Sequence, residues 1–259
     1  MRIGFAVALS AAFLTLASPV AAAIKSRVVN YTQDGAQLQG YIAWDDAVKG
    51  KRPGVLVVHE WWGHNDHARR AADRLAQAGY VGFALDMYGK GKLAAHPKDA
   101  EAFVNEVTKD PAVLGGRFNA ALALLKKDPR VDVTRLGAIG YCFGGSVVLG
   151  MMGSGADFRA VGTFHAALEY ASPDSGKVKT KVLVQTGADD PMIPAEAVAA
   201  FEQKMAAAGV SARVISYPGA KHGFTNPGAD KFGMPALAYH AEADKKSWDE
   251  LIAFFKVEL

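Results

Sequence analysis

Four short apolar runs punctuate this chain: VLVVH at 55–59, VGFAL at 81–85, LGAIGY at 136–141 and VLVQT at 182–186. A strand with one wet face alternates apolar and polar residues, whereas an uninterrupted apolar strand is buried on both faces. Between the runs lie segments with helical periodicity: Asp66–Ala78, Pro97–Lys109, Val113–Lys127, Pro194–Ala208 and Ser247–Val257. In the first, Ala68, Ala71, Ala72 and Leu75 share one face and Gly79 supplies the stop. Val161–Phe164 and Ala212–Tyr217 add two strands, and Val28–Tyr31 with Gln37–Ala43 reads as an antiparallel pair turning near Asp34-Gly35. The alternation dictates an α/β class, with a mostly parallel central sheet and helices on both faces. Ligands of such sheets gather at the carboxyl ends of the strands. The chemistry is therefore sought in the residues just after each strand.

The 259 residues, half of them hydrophobic and 21% charged, suffice for one domain with a substantial core. A net charge of +3 with no long run of either sign gives no reason to expect a nucleic-acid partner. Met1-Arg2, the apolar stretch Ile3–Leu16 and the small residues up to Ala23 read as a secretory signal over residues 1–23. The apolar middle falls short of the ~20 residues that span a bilayer. Residues 24–259 are then expected as a single exported domain, periplasmic or secreted, without a membrane anchor. The sequence carries no signal of oligomeric state.

Cys142 is the one cysteine, so no internal disulfide forms. It stands in IGYCFGGS, with Gly140 and Gly144 each two residues away. G-x-C-x-G matches the nucleophile elbow G-x-S-x-G with sulfur in place of oxygen, a turn too sharp for side chains beside the nucleophile. A buried cysteine at a glycine-rich packing contact is the blander alternative. The rest of the chain favours the elbow. Asp189 and Asp190 follow VLVQT, and His222 follows Ala212–Tyr217 in a loop, giving the order thiol, carboxylate, imidazole, each after a different strand. Either aspartate also suits a cap for the helix near Pro194.

An unperturbed thiol (pKa ~8.5) is mostly protonated at neutral pH, and an adjacent imidazole raises its thiolate fraction. A carboxylate fixes the tautomer of that imidazole and stabilises its protonated form. Attack on an ester carbonyl gives an acyl-thioester, which water then hydrolyses. Two backbone N–H groups are needed for the oxyanion, one from the residue after the nucleophile, Phe143, and one from the loop after an earlier strand, Trp61.

The segments VVHEWWGHN, AGYVGFALDMYG, LGAIGYCFGG, TGADDPMIP and YPGAKHGF, in this order over about residues 37–255, resemble the dienelactone hydrolase (carboxymethylenebutenolidase) family. The resemblance implies an α/β-hydrolase fold, an ester- or lactone-hydrolysing activity and a Cys142–His222–Asp189 triad. It also implies that Glu60, in HEWWG, interacts with the resting thiol and takes part in its activation. The best-known family members hold a substrate carboxylate with two arginines. The corresponding neighbourhoods here offer Lys90 and Asn226, and a lysine supplies a point charge without the bidentate geometry of arginine.

Trp61, Trp62, Tyr141 and Phe143 are candidates for an apolar wall, Trp62 suiting core packing equally well, and His165 is a candidate pocket residue at a strand end. His59, His64 and His67 stand at H-x-x-x-x-H and H-x-x-H spacings, but no carboxylate set completes a site, so neither metal nor other cofactor is expected. Two other readings use the same residues: acyl transfer or peptide hydrolysis on this scaffold, and an exported binding or redox-sensing protein. Sensing does not require the thiol–acid–base order.

Overall fold

The computed structural model describes residues 23–174 and 176–259. The expected leader, save Ala23, lies outside the described residues. Among the described residues no helix is long and apolar enough to cross a membrane.

Eight strands form one sheet: β1 (Ile24–Gln33), β2 (Ala36–Asp45), β3 (Arg52–Val58), β4 (Val81–Leu85), β5 (Val131–Tyr141), β6 (Ala160–Phe164), β7 (Lys181–Gly187) and β8 (Ala212–Tyr217). Their order is β1-β2-β4-β3-β5-β6-β7-β8. β1 pairs antiparallel with β2, and β2 antiparallel with β4. All other neighbours are parallel. Among the described residues six α-helices flank the sheet: α1 (Asp66–Gln77), α2 (Pro97–Thr108), α3 (Pro111–Lys127), α4 (Phe143–Gly153), α5 (Ala195–Ala207) and α6 (Ala241–Glu258).

The period of two along a strand explains the layers. In β3, Leu56 and Val58 face one core while Val55 and Val57 face the other. The first core receives Phe118, Leu122 and Leu125 of α3, Val147 to Leu149 of α4, and Phe201 and Met205 of α5. The second receives Leu75 of α1 and Trp248, Leu251 and Phe255 of α6. Each fully buried large side chain contributes about 1.5–3 kcal/mol. β4 and β8 match the sequence reading residue for residue. α6 begins six residues earlier than Ser247, because His240 accepts from the Ala243 N–H as its cap.

The chain leaves β3 for β4 on one side and later places β5 on the other side. That reversal opens a crevice at the carboxyl ends of β3 and β5, where such sheets bind ligands. Glu60 follows β3, and Cys142 follows β5.

Candidate active site

Cys142 sits between β5 and α4 with φ 51° and ψ −121°, a region costly for a residue with a Cβ. The turn is held on both sides. Its N–H donates to Phe164 O at 2.9 Å, and its carbonyl accepts from the Gly145 and Ser146 N–H groups at 2.9 and 3.2 Å. A Cβ on Gly140 would strike the Gly144 carbonyl, and one on Gly144 would strike the carbonyls of Val58 and His59. Only glycines let β5 turn so sharply into α4 and let α4 approach the end of β3. The helix is apolar except for Ser146 and buried along eight of its eleven residues, as expected of a helix enclosed by protein. The rigid backbone leaves the Cys142 side chain partly exposed. Phe143 is the first residue of α4, where the helix's own ladder offers its N–H no acceptor. Gly63 N–H closes the turn after β3 on Glu60 O at 3.2 Å, which leaves Trp61 N–H unused by that turn.

Cys142 Sγ and one nitrogen each from His165 and His222 lie within 4.8 Å of one another. His222 Nδ1 lies 2.9 Å from Asp190 Oδ2, both side chains buried. The aspartate expected from the sequence, Asp189, is exposed, and this corrects the pairing. Asp189 N–H bonds Ala220 O at 3.0 Å, which fixes the loop after β7 against the loop carrying His222. The next residue then turns inward. Asp190 Oδ1 accepts from Met192 N–H at 2.8 Å, so its other oxygen is the one that meets the imidazole. Burial alone would keep His222 neutral, but its electrostatic interaction with Cys142 and its bond to Asp190 together push its pKa up.

Glu60 is buried at 3% exposure. Asn226 Nδ2 donates to Glu60 Oε2 at 2.6 Å. The amide is oriented by Gly228 N–H, which donates to Asn226 Oδ1 at 2.8 Å. Burial raises the Glu60 pKa to about 7, against the opposing pull of Asn226 and of His222. Asn226, noted in the sequence only where an arginine was expected, is thus the carboxyl's partner. The buried His67 packs beside it, with Nδ1 3.6 Å from Glu60 Oε2. His67 Nε2–H donates to Thr225 O at 3.1 Å, leaving Nδ1 as a lone pair toward Glu60. Burial holds His67 down at about 3.

The other predicted residues separate into distinct roles. His165 is fully buried, its Nε2 3.1 Å from Thr225 Oγ1 and its ring edge-on to His222 at 4.8 Å. Trp62 is packing rather than pocket wall: it is buried and stacked on Phe232 with ring centroids 3.5 Å apart. Tyr141 is likewise buried, stacked on Phe164 at 4.7 Å. Trp61 and Phe143 stay partly exposed. Lys90 is exposed, with its backbone N–H on Gln37 O at 2.8 Å. His59 is a structural pin: its Nδ1–H donates to Glu60 O at 2.5 Å while its Nε2 accepts from Met87 N–H at 3.1 Å. Both nitrogens are engaged, which removes it as a metal ligand. Thr225, which touches both His67 and His165, carries no signature in the sequence that marks it.

An elbow at the end of β5, a loop imidazole after β8 and a carboxylate after β7 define this domain as an α/β-hydrolase. The model of the dienelactone hydrolase family matches residues 38–259, and the chain belongs to that family. It is similar to the solved structure of m3DLH, with 37% identity and a TM-score of 0.85 over 92% of this chain and 99% of that one. It is also similar to a dienelactone hydrolase-like promiscuous phosphotriesterase from metagenomic libraries, with 34% identity, a TM-score of 0.84, and coverage of 91% and 99%. Protein usf of Aquifex pyrophilus is 29% identical over 239 residues, 89% of this chain and 97% of the relative. Family membership makes the chain an enzyme that hydrolyses esters or lactones.

Proposed function

We propose that the chain hydrolyses small esters or lactones through Cys142 as nucleophile, His222 as acid–base and Asp190 as the group that orients the imidazole. One observation carries the reading: the His222 ring lies between the Cys142 thiol and the Asp190 carboxylate. Asp190 fixes the tautomer in which Nε2 faces the thiol. His222 takes the proton of Cys142, the thiolate attacks the carbonyl carbon, and the oxyanion is received by the N–H groups of Phe143 and Trp61. As the tetrahedral adduct collapses, the C–O bond breaks and His222 gives its proton to the departing alkoxide. Water then attacks the thioester and His222 takes its proton. The C–S bond breaks, releasing the acid and restoring the resting pair.

Glu60 is the proposed partner of the resting thiol. A carboxyl that titrates near 7 changes protonation state at small cost at neutral pH, and Asn226 holds it in one position. Lys90 is proposed to attract substrates with a distal anion. As an exposed point charge it adds attraction rather than fixed geometry. Equal losses on anionic and neutral lactones in Lys90→Ala would reject that role. Residues 1–23 are proposed as a secretory leader, tested by the N-terminal sequence of the exported protein.

The decisive experiment is a screen of the purified domain against lactones, aryl esters and thioesters, with Cys142→Ala and His222→Ala in parallel. The expected result is hydrolysis by the parent and loss of at least ~1,000-fold in each variant. Parent-like turnover in both would refute the assignment.

A further inference from the structure

His165 has no part in the proposed reaction, yet it completes a set of ligands. The Cys142 sulfur and one nitrogen each from His165 and His222 lie within 4.8 Å of one another. Two buried ring nitrogens there, His165 Nδ1 and His222 Nε2, have no hydrogen-bond partner. Each ring is also oriented from behind. His222 Nδ1 is on the Asp190 carboxylate and His165 Nε2 is on the Thr225 hydroxyl. Imidazoles that ligate metals are held in this manner, by a carboxylate or another polar group on the second nitrogen.

We propose that the pocket binds one Zn2+ ion through Cys142, His165 and His222, and that this ion blocks hydrolysis reversibly. One thiolate and two imidazoles suit zinc, whereas Mg2+ and Ca2+ require oxygen ligands. Zinc bonds of about 2.0–2.3 Å bring tetrahedral ligands to roughly 3.3–3.7 Å from one another. The set has to close from separations of up to 4.8 Å, and rotation of the Cys142 side chain supplies movement at the sulfur. The partly exposed Cys142 gives the ion its entry. On binding, one Zn–S and two Zn–N bonds form, hydration waters leave save one that holds the fourth position, and the proton of the Cys142–His222 pair passes to solvent. Sulfur and both imidazoles are then occupied, so neither the thiolate nor the His222 base of the proposed reaction is free. The ion acts as an inhibitor, and no step of hydrolysis runs through it.

Binding is independent of the proposed function, and only the inhibition rests on it. The test therefore measures the two separately, on the mature domain with Zn2+ alone as ligand, against a chromophoric chelator. The expected result is one equivalent bound, with affinity at least ~10-fold weaker in Cys142→Ala and in His165→Ala, and no binding of Mg2+. His165 is buried, so its variant requires a near-ultraviolet circular dichroism spectrum matching the parent. Co2+ in the unmodified protein gives a readout that needs no variant: a thiolate-to-cobalt charge-transfer band in the near ultraviolet. Zinc affinity unchanged in Cys142→Ala or in a folded His165→Ala overturns the site, as does a cobalt complex without the thiolate band. Ester hydrolysis should fall with the same midpoint as zinc binding and return on adding EDTA. Undiminished hydrolysis at full zinc occupancy overturns the inhibition. A parent with no hydrolysis refutes the proposed function instead, and the binding arms still decide the site.

Discussion

His222 Nδ1 meets Asp190 Oδ2 at 2.9 Å, and the neighbouring Asp189 faces solvent. The two aspartates therefore separate in their effects. Asp190→Asn should lower kcat/KM by about 10³–10⁴, because the amide supports the wrong imidazole tautomer. Asp189→Asn should stay within about twofold of the parent. Steady-state kinetics on one activated ester compares them. Equal losses would remove Asp190 from the account.

Glu60 and Asn226 are coupled at 2.6 Å. Burial raises the Glu60 carboxyl to about 7, so an ionisation near that value should appear in the kcat/KM profile of the parent. Glu60→Gln should lower activity and erase that ionisation. Asn226→Ala removes a bond that favours the charged form and should move the ionisation upward. A profile between pH 5 and 9 that is the same in all three proteins would remove Glu60 from the chemistry.

The glycine at 144 is a packing requirement as much as a catalytic one. A Cβ there meets the backbone carbonyls of Val58, at the end of β3, and of His59 just after it, which cannot rotate away. Gly144→Ala should therefore destabilise by ~3 kcal/mol or more, at or beyond the top of the usual overpacking range. Gly115 lies inside α3 with open space around it, and Gly115→Ala should stabilise by about 0.5–1 kcal/mol. Urea unfolding of both variants gives the contrast, and a neutral Gly144→Ala would contradict the geometry.

Acid should destabilise this fold through its histidines. Burial lowers His59, His64, His67 and His165, with His64 and His67 held near 3. The unfolded chain, with histidines near 6.5, therefore binds more protons between pH 3 and 6.5. Stability is present above 6.5 and lost as pH falls through that window. Glu60, raised to about 7, runs the other way, losing stability as pH rises from about 4.5 to 7. His222, pushed up to about 10, also runs that way, but its loss falls between about 6.5 and 10, so in the acid window Glu60 stands against four histidines, which set the sign. His64 Nε2 has no partner, and His64→Asn should shallow the acid limb by about one proton between pH 4 and 6. Unfolding midpoints across that range check it, and an unchanged slope would reject the assignment.

The layers of this fold were legible because strands buried on both faces cannot hide their composition. VLVVH and VGFAL became β3 and β4 in the middle of the sheet. The cysteine turn was legible because steric demands at Gly140 and Gly144 admit no other residue. The choice between Asp189 and Asp190 was not, because one bond from Asp189 N–H to Ala220 O decides which residue turns inward. The partners of Glu60 were equally hidden. Asn226 lies 166 residues away in sequence, and no local spacing relates the two.

The central claim is that Cys142 carries the acyl group. Mixing the purified domain with excess activated ester, quenching in acid within milliseconds and digesting should yield the peptide containing Cys142 with the mass of the acyl group added. The adduct should be labile to hydroxylamine and absent from Cys142→Ala. Turnover of that ester with no acyl mass on Cys142, or with the mass on another residue, would contradict the account.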